Sequence, residues 1–140
     1  MIIRSMLLLF CFASCSPASL QDFRQEGQTV ERALIKDLRR IRSHEQLVKA
    51  RPRLKRHFNK LVTIIIEARK WQDSHPLSED VPLSKRDLML SEGLRQELVR
   101  VYSFDGGRKT IEECQAPALA KLDLFEQRRA KRLQEQALAR

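Results

Sequence analysis

Hydrophobic residues recur with helical spacing along the first third of the chain. The apolar side chains follow one another at intervals of three, four or seven residues, which places them on one face of an α-helix. The residues of this stripe are Phe23, Val30, Leu34, Leu38, Ile41 and Val48. Gly27 lies on the same face, and Pro52 ends the pattern because the residue before a proline avoids helical backbone angles. The pattern predicts a first helix over about residues 20–50.

A second apolar stripe predicts a helix over about residues 53–73. Its members are Leu54, Phe58, Leu61, Ile65 and Ala68, and the opposite side carries Arg53, Arg56, His57 and Lys60. Thr63 to Ile66 are β-branched and favour a strand by propensity alone, but the long periodic context favours a helix. Ile64 and Trp71 make the second half of this helix apolar nearly all round. Such a helix is central in a bundle or contacts a partner.

A loop over residues 74–84 separates this helix from a third one, because prolines and serines interrupt the pattern there. Ser84 and Asp87 have the spacing of a capping box and predict a helix from about residue 85 to 104. The stripe of this helix is Leu90, Leu94, Leu98 and Val101, and Asp105-Gly106-Gly107 stops it. A β-hairpin over residues 99–111 is an alternative, although its second half is polar and rich in glutamate.

A fourth helix is predicted to begin near Pro117, since proline is tolerated in a first turn. Leu119, Leu122, Phe125 and Leu133 form its stripe, and the last turns are polar enough that we expect them to be solvated and to fray. The sequence therefore predicts an all-α fold, a small bundle of about four helices in a single domain over residues 20–140.

The amino terminus has the pattern of a secretory signal peptide. Arg4 is the only charged residue before Asp22, and an apolar run from Met6 ends in small residues at Ser14. This run is shorter than the roughly 20 apolar residues that a spanning helix needs. We therefore expect residues 1–14 to be a cleaved leader. A retained short anchor and a cytosolic amino terminus are the alternatives.

The end of the apolar run, Phe12-Ala13-Ser14-Cys15, resembles the lipobox of bacterial lipoproteins. Ala13 and Ser14 match its small-residue positions and Cys15 its acylated cysteine, whereas Phe12 departs from the usual aliphatic residue. The resemblance implies cleavage before Cys15, acylation of Cys15 with fatty acids such as palmitate, and a lipidated tether over residues 15–19. Residue 16 is serine and not aspartate, and the resemblance therefore also implies the outer membrane of a bacterial envelope in preference to the inner one.

Patterns that support catalysis are absent from the sequence. His44, His57 and His75 are not spaced with another histidine or cysteine as metal ligands are, and no nucleophile elbow, phosphate loop or dinucleotide fingerprint occurs. Once Cys15 is acylated and the leader is gone, Cys114 is the one remaining thiol, so we expect no internal disulfide and a small core residue at Cys114. We expect no enzyme activity, no cofactor, no metal and no small-molecule substrate.

Positive charge is the feature that bears most on function. The 140 residues include 27 lysines and arginines against 18 acidic residues, a formal net charge of +9. One cluster has no acidic residue within it and comprises Lys49, Arg51, Arg53, Lys55, Arg56 and Lys60, and a second comprises Arg128, Arg129, Lys131 and Arg132. Such clusters are solvated helix faces, or they bind anionic lipid head groups or acidic proteins.

These observations predict a non-catalytic envelope lipoprotein that acts as a scaffold or interaction module through a basic helical surface. The expected partners are the membrane, through the acyl anchor, and an anionic lipid or an acidic envelope protein. Binding of nucleic acid is the alternative if the amino terminus is not an export signal, because a pI near 10.0 suits phosphate. No nucleic-acid-binding motif is present and few aromatic residues are available to stack on bases.

Overall fold

The computed structural model describes residues 19–139, which form four α-helices and no strand. The helices are α1 (Leu20–Arg40), α2 (His44–Ser74), α3 (Lys85–Tyr102) and α4 (Gly107–Leu138). The predicted all-α class and the small helical bundle are confirmed. The predicted leader, and all of the predicted tether except Ser19, lie outside the described residues.

α1 and α2 lie side by side and run in opposite directions. The Nζ atom of Lys60 is 2.5 Å from Oε1 of Glu26, and Nε of Arg53 is 3.6 Å from Oδ2 of Asp37. Positions along α2 therefore rise as contacting positions along α1 fall, which is the order of an antiparallel pair.

α4 packs against the other side of α2 and runs parallel to it. Arg51 pairs with Glu113 at 2.6 Å near the start of both helices, and Arg129 pairs with Asp73 at 2.8 Å near the end of α2. α2 is consequently the central helix of the bundle, with α1 and α4 as its two neighbours.

α3 packs against α1 and runs parallel to it. Nε2 of Gln28 donates a hydrogen bond to Oδ1 of Asp87 at 2.6 Å, and Arg39 pairs with Glu97 at 3.2 Å. The start of α1, the end of α2, the start of α3 and the end of α4 therefore share one end of the molecule. We call it the tether end, because the chain enters the bundle there at Leu20.

The core consists of aliphatic side chains from all four helices. Its most deeply buried members are Leu34, Leu38, Leu47, Leu54, Val101, Ile111 and Cys114. The expectation that Cys114 is a small core residue is confirmed. Ile65, which the sequence places on the inner stripe, is instead 42% exposed. The side of α2 that carries Ile65 is not covered by another helix, because α3 packs against α1 and α4 and not against α2.

The predicted boundary between the first two helices is wrong. α1 ends at Arg40, Ile41 is extended, and the side chain of Ser43 caps α2 by accepting a hydrogen bond from the backbone N–H of Gln46 at 3.3 Å. Pro52 does not end a helix but lies inside α2. Proline removes a hydrogen bond within a helix. Here Ala50 and Leu54 on either side of it are buried in the core, and their packing offsets that loss.

The predicted start of the fourth helix is also wrong. α4 begins at Gly107, and Pro117 lies within it. Residues 107–116 form the first turns of this helix, and Thr110, Ile111 and Cys114 are buried on one side of it. The hairpin over residues 99–111 is excluded, because these residues form the end of α3, a turn and the start of α4.

The last turns of α4 are helical to Leu138, and every residue from 131 to 139 is exposed. Their predicted solvation is confirmed, and their fraying stays a prediction. α4 runs past the end of α2, since Arg129 of α4 is level with Asp73. The carboxyl-terminal turns of α4 therefore extend past the end of α2 at the tether end, where Pro76 of the following loop lies beside Leu133 and Gln136.

Ser84 and Asp87 form the predicted capping box at the start of α3. The backbone N–H of Asp87 donates to Oγ of Ser84 at 3.2 Å, and the backbone N–H of Ser84 donates to Oδ2 of Asp87 at 2.7 Å. The carboxylate of Asp87 also accepts the hydrogen bond from Gln28, a buried polar residue of α1. The cap thus fixes α3 to α1 as well as starting it.

We expect Asp87→Asn to weaken the acid sensitivity of the fold. Hydrogen bonds from Gln28 and Ser84 lower the pKa of Asp87 from 3.8 to about 2. A carboxyl whose pKa is lowered by folding stabilises the protein above its unfolded pKa, and this stabilisation is lost as the pH falls through the folded value. Denaturant unfolding at pH 7 and pH 3 should show a smaller loss in the variant than in the wild type. The control Asp123→Asn, at an exposed residue, should keep the wild-type loss.

Candidate interaction surface

Two of the three histidines make structural contacts within the bundle. Nε2 of His57 is 2.9 Å from Oδ2 of Asp37, an oxygen that also pairs with Arg53, so this cluster joins α2 to α1. His75 is exposed and stacks on Trp71, with 4.0 Å between the ring centroids. Among residues 19–139, no group of three or more histidine, cysteine or acidic side chains could hold a metal ion.

Cys114 is not placed for thiol chemistry. It is 1% exposed, and burial raises the pKa of its thiol above the ordinary value of a cysteine. The reactive species of a cysteine is the thiolate, which burial disfavours. Its role in the described part of the chain is to fill the core beside Arg51, whose carbonyl oxygen lies 4.0 Å from its sulfur.

The basic cluster of α2 divides between two sides of the helix. Lys49, Arg53, Arg56 and Lys60 follow one another at intervals of four, three and four residues and form a single stripe beside α1. Arg51 and Lys55 lie on the other side, where Arg51 pairs with Glu113 of α4. The six residues that the sequence singles out as one basic surface are therefore not brought together.

Ion pairs neutralise much of this cluster. Lys49 pairs with Glu45 at 2.7 Å, and Arg53, Lys60 and Arg51 each pair with a carboxylate of a neighbouring helix. Lys55 and Arg56 are the members of the cluster without an ion pair within the described residues. Ion pairs between exposed side chains contribute little stability, but they lower the net charge offered to a partner.

A groove between α1 and α3, which the sequence pattern did not indicate, is more strongly basic. It has a volume of about 630 Å³ and is lined by Arg32, Ile35, Lys36, Arg39, Arg40, Arg42, Met89, Leu90 and Gly93. Five of these nine residues are cationic and none is acidic. Ile35, Leu90 and Gly93 make the floor apolar, and Met89 stands 66% exposed at the rim. We call this the α1–α3 groove.

Most cations of the α1–α3 groove have no carboxylate partner. Arg39 pairs with Glu97 at 3.2 Å, and the other four make no ion pair within residues 19–139. The spacing of Arg32, Lys36 and Arg39 would have placed them on one face. This face does not stand out as a run of basic residues, because Asp37 interrupts the run in the sequence. In the structure Asp37 points towards α2 and not into the groove.

The second basic cluster, at the end of α4, also divides. Arg129 turns inward to Asp73 of α2, and this hydrogen bond lowers the pKa of Asp73. Arg128, Lys131 and Arg132 form no ion pair in the part of the chain that the structure describes, and they line a shallow groove with Phe125 and with Lys70 of α2. We call these three cations, together with Lys121 and the exposed Leu124 on the same side, the α4 strip.

Cys15, the predicted acylation site, lies outside the described residues. Within residues 19–139, none of the helices combines the length and the apolar character that crossing a bilayer would require. Comparison of the chain with models of protein families, with curated proteins and with solved structures gave no match.

Proposed function

We propose that this chain is a non-catalytic envelope lipoprotein, anchored through acylated Cys15, that holds an acidic protein partner in the α1–α3 groove. The observation that carries the proposal is the composition of that groove: five cations, four of them without a carboxylate partner in the described chain, around an apolar floor. A partner segment with carboxylates at its edges and an apolar side chain at its centre is complementary to both features.

The position of the groove favours a protein over a lipid head group as its ligand. The chain enters the bundle at Leu20, whereas Arg32 and Arg40 lie about 18 Å and about 30 Å further along the axis of α1, at 1.5 Å per residue. Charges on a bilayer are screened over about 8 Å at physiological salt. A bilayer held at the tether end therefore exerts little attraction on the groove.

The anchor is tested by the intact mass of the protein purified from its native membranes. We expect a chain that lacks residues 1–14 and carries the added mass of acyl groups at Cys15. The physical reason for lasting attachment is that each buried CH₂ group contributes about 0.8 kcal/mol, so that more than one chain is needed. A chain that still begins at Met1 with an unmodified Cys15 would contradict the proposed anchor and restore nucleic-acid binding as a candidate.

The groove is tested by crosslinking in the native envelope. A photoactivatable amino acid at the exposed position Met89 should crosslink to one protein with an acidic segment. Replacing Arg32, Lys36 and Arg40 by glutamine should lower the yield about tenfold, because each exposed charge pair contributes up to about 1 kcal/mol.

A matched variant keeps this test specific. Replacing Lys49, Arg53 and Arg56 by glutamine removes the same charge from the stripe of α2, and the crosslink should survive. Loss of the crosslink in this variant, with retention in the groove variant, would place the partner on the α2 stripe that the sequence indicates and would overturn the assignment to the groove.

A further inference from the structure

We infer that the α4 strip lies on the surface of an anionic bilayer and fixes the orientation of the bundle on the membrane. The inference rests on the proposed anchor at Cys15, and it assigns a lipid-binding role to residues that the anchor itself does not involve. Three observations carry it: the reach of the tether, the projection of α4 at the tether end, and the charge of the strip.

The tether is short compared with the projection of α4. Residues 15–19 span at most about 17 Å when fully extended, at up to about 3.5 Å per residue. The ion pairs Glu26–Lys60 and Glu126–Arg69 place the start of α1 level with about residue 123 of α4. From that level α4 continues to Leu138, which is about 22 Å of helix at 1.5 Å per residue.

A bundle that stands upright on this tether cannot keep the end of α4 away from the bilayer. If the bundle stands upright, the end of α4 lies about 22 Å beyond the level at which the tether joins α1. This distance exceeds the tether's full length of about 17 Å. A tilt that lowers the side of α4 relieves this clash and lays that side along the membrane surface. Head groups then meet residues of α4 from about 121 onwards, whereas an upright bundle on a fully extended tether brings only the turns beyond about residue 134 to them.

The side of α4 best suited to that contact is the α4 strip. Lys121, Leu124, Arg128 and Lys131 follow one another at intervals of three and four residues, and Arg132 lies four residues after Arg128, so all five share one side of the helix. Glu135 is the single acidic residue of the shallow groove that Arg128, Lys131 and Arg132 line. Cations with an exposed leucine among them match anionic head groups above an acyl layer, the pattern of interfacial helices.

The placement of the two basic surfaces agrees with this orientation. The α4 strip adjoins Lys70 of α2, whereas the α1–α3 groove lies between the other two helices, on the opposite side of the bundle. With the strip on the bilayer, the groove faces away from the membrane and stays open to a protein partner.

The test measures vesicle binding without the acyl anchor. The full chain with Cys15→Ser is mixed with vesicles of phosphatidylethanolamine and phosphatidylglycerol, and with vesicles of phosphatidylcholine alone. The leader is the same in every variant, so its contribution cancels. Replacing Arg128, Lys131 and Arg132 by glutamine should weaken binding to the anionic vesicles about 100-fold at low salt, from the charge lost near the surface. Binding to phosphatidylcholine should not change.

The matched control replaces Arg32, Lys36 and Arg40 by glutamine, which removes the same charge from the α1–α3 groove. This variant should bind anionic vesicles as the parent chain does. Equal weakening in both variants would show that net charge alone governs binding, and unchanged binding in the strip variant would show that α4 makes no contact. Either result overturns the inference even if Cys15 is acylated. A specific loss in the strip variant supports it whatever the intact mass reveals about Cys15, so the two proposals fail separately.

Discussion

Replacing Leu54 by alanine is expected to lower the free energy of unfolding by about 2–5 kcal/mol, the usual cost of removing a buried leucine side chain and leaving a cavity. Leu54 is fully buried in the core, on α2, the helix that packs against both α1 and α4. It also lies two residues after Pro52, which removes a hydrogen bond from the helix, so the helix depends there on packing more than on hydrogen bonds. Denaturant unfolding followed by circular dichroism measures the difference.

Leu77→Ala is the control for Leu54→Ala. Leu77 is 97% exposed in the loop between α2 and α3, so its truncation removes almost no buried contact. We expect a change within about 0.5 kcal/mol, as for most surface substitutions. A Leu54→Ala variant as stable as the Leu77→Ala variant would contradict the central position of α2 in the core.

The fold was predictable where the helical pattern of apolar residues continues over many turns and where the capping residues can be recognised in the sequence. Ser84 and Asp87 mark the start of α3 by themselves, and the structure confirms it. The corner between α1 and α2 was not predictable in the same way. Ile41 continues the apolar stripe of α1 and is buried, but its backbone is extended, so the hydrophobic pattern runs through a point at which the helix ends.

The start of α4 was missed for a different physical reason. A buried helical face can be made of small or weakly polar side chains when the neighbouring helix lies close, as with Thr110, Cys114 and Ala118. Such residues do not stand out in a hydrophobic pattern. The predicted helix start was placed at Pro117 instead, because proline is common in a first turn. In the structure Pro117 is an exposed residue in the interior of α4.

The charged surfaces depended on contacts that sequence order does not show. The carboxylates that pair with Arg51 and Arg129 lie about 60 positions away in the sequence and are brought into place by helix packing. A run of cations without acid therefore became partly neutral, while the α1–α3 groove, interrupted by acid in the sequence, stayed positive. The acylation of Cys15 remains a prediction from resemblance, because the residue lies outside the described part of the chain.

Gly107→Ala is expected to destabilise the fold by about 2–3 kcal/mol or more, within the range of overpacked core positions. A Cβ atom at this position would lie 2.1 Å from the carbonyl oxygen of Val101 and 3.1 Å from its carbonyl carbon. Both are backbone atoms of a fully buried residue, so a side-chain rotation cannot relieve the contact. The turn between α3 and α4 would have to open, and the start of α4 would move away from the core.

Gly27→Ala tests the same chemical change where nothing opposes it. A Cβ atom at Gly27 would meet no other atom within 4 Å, and the residue lies inside α1. Alanine is the better helix former, so we expect a gain of about 0.5–1 kcal/mol. Thermal and denaturant unfolding of both variants should therefore give changes of opposite sign. A neutral Gly107→Ala variant would mean that α3 and α4 do not meet as closely as the structure shows, and would remove the reason for a helix start at Gly107.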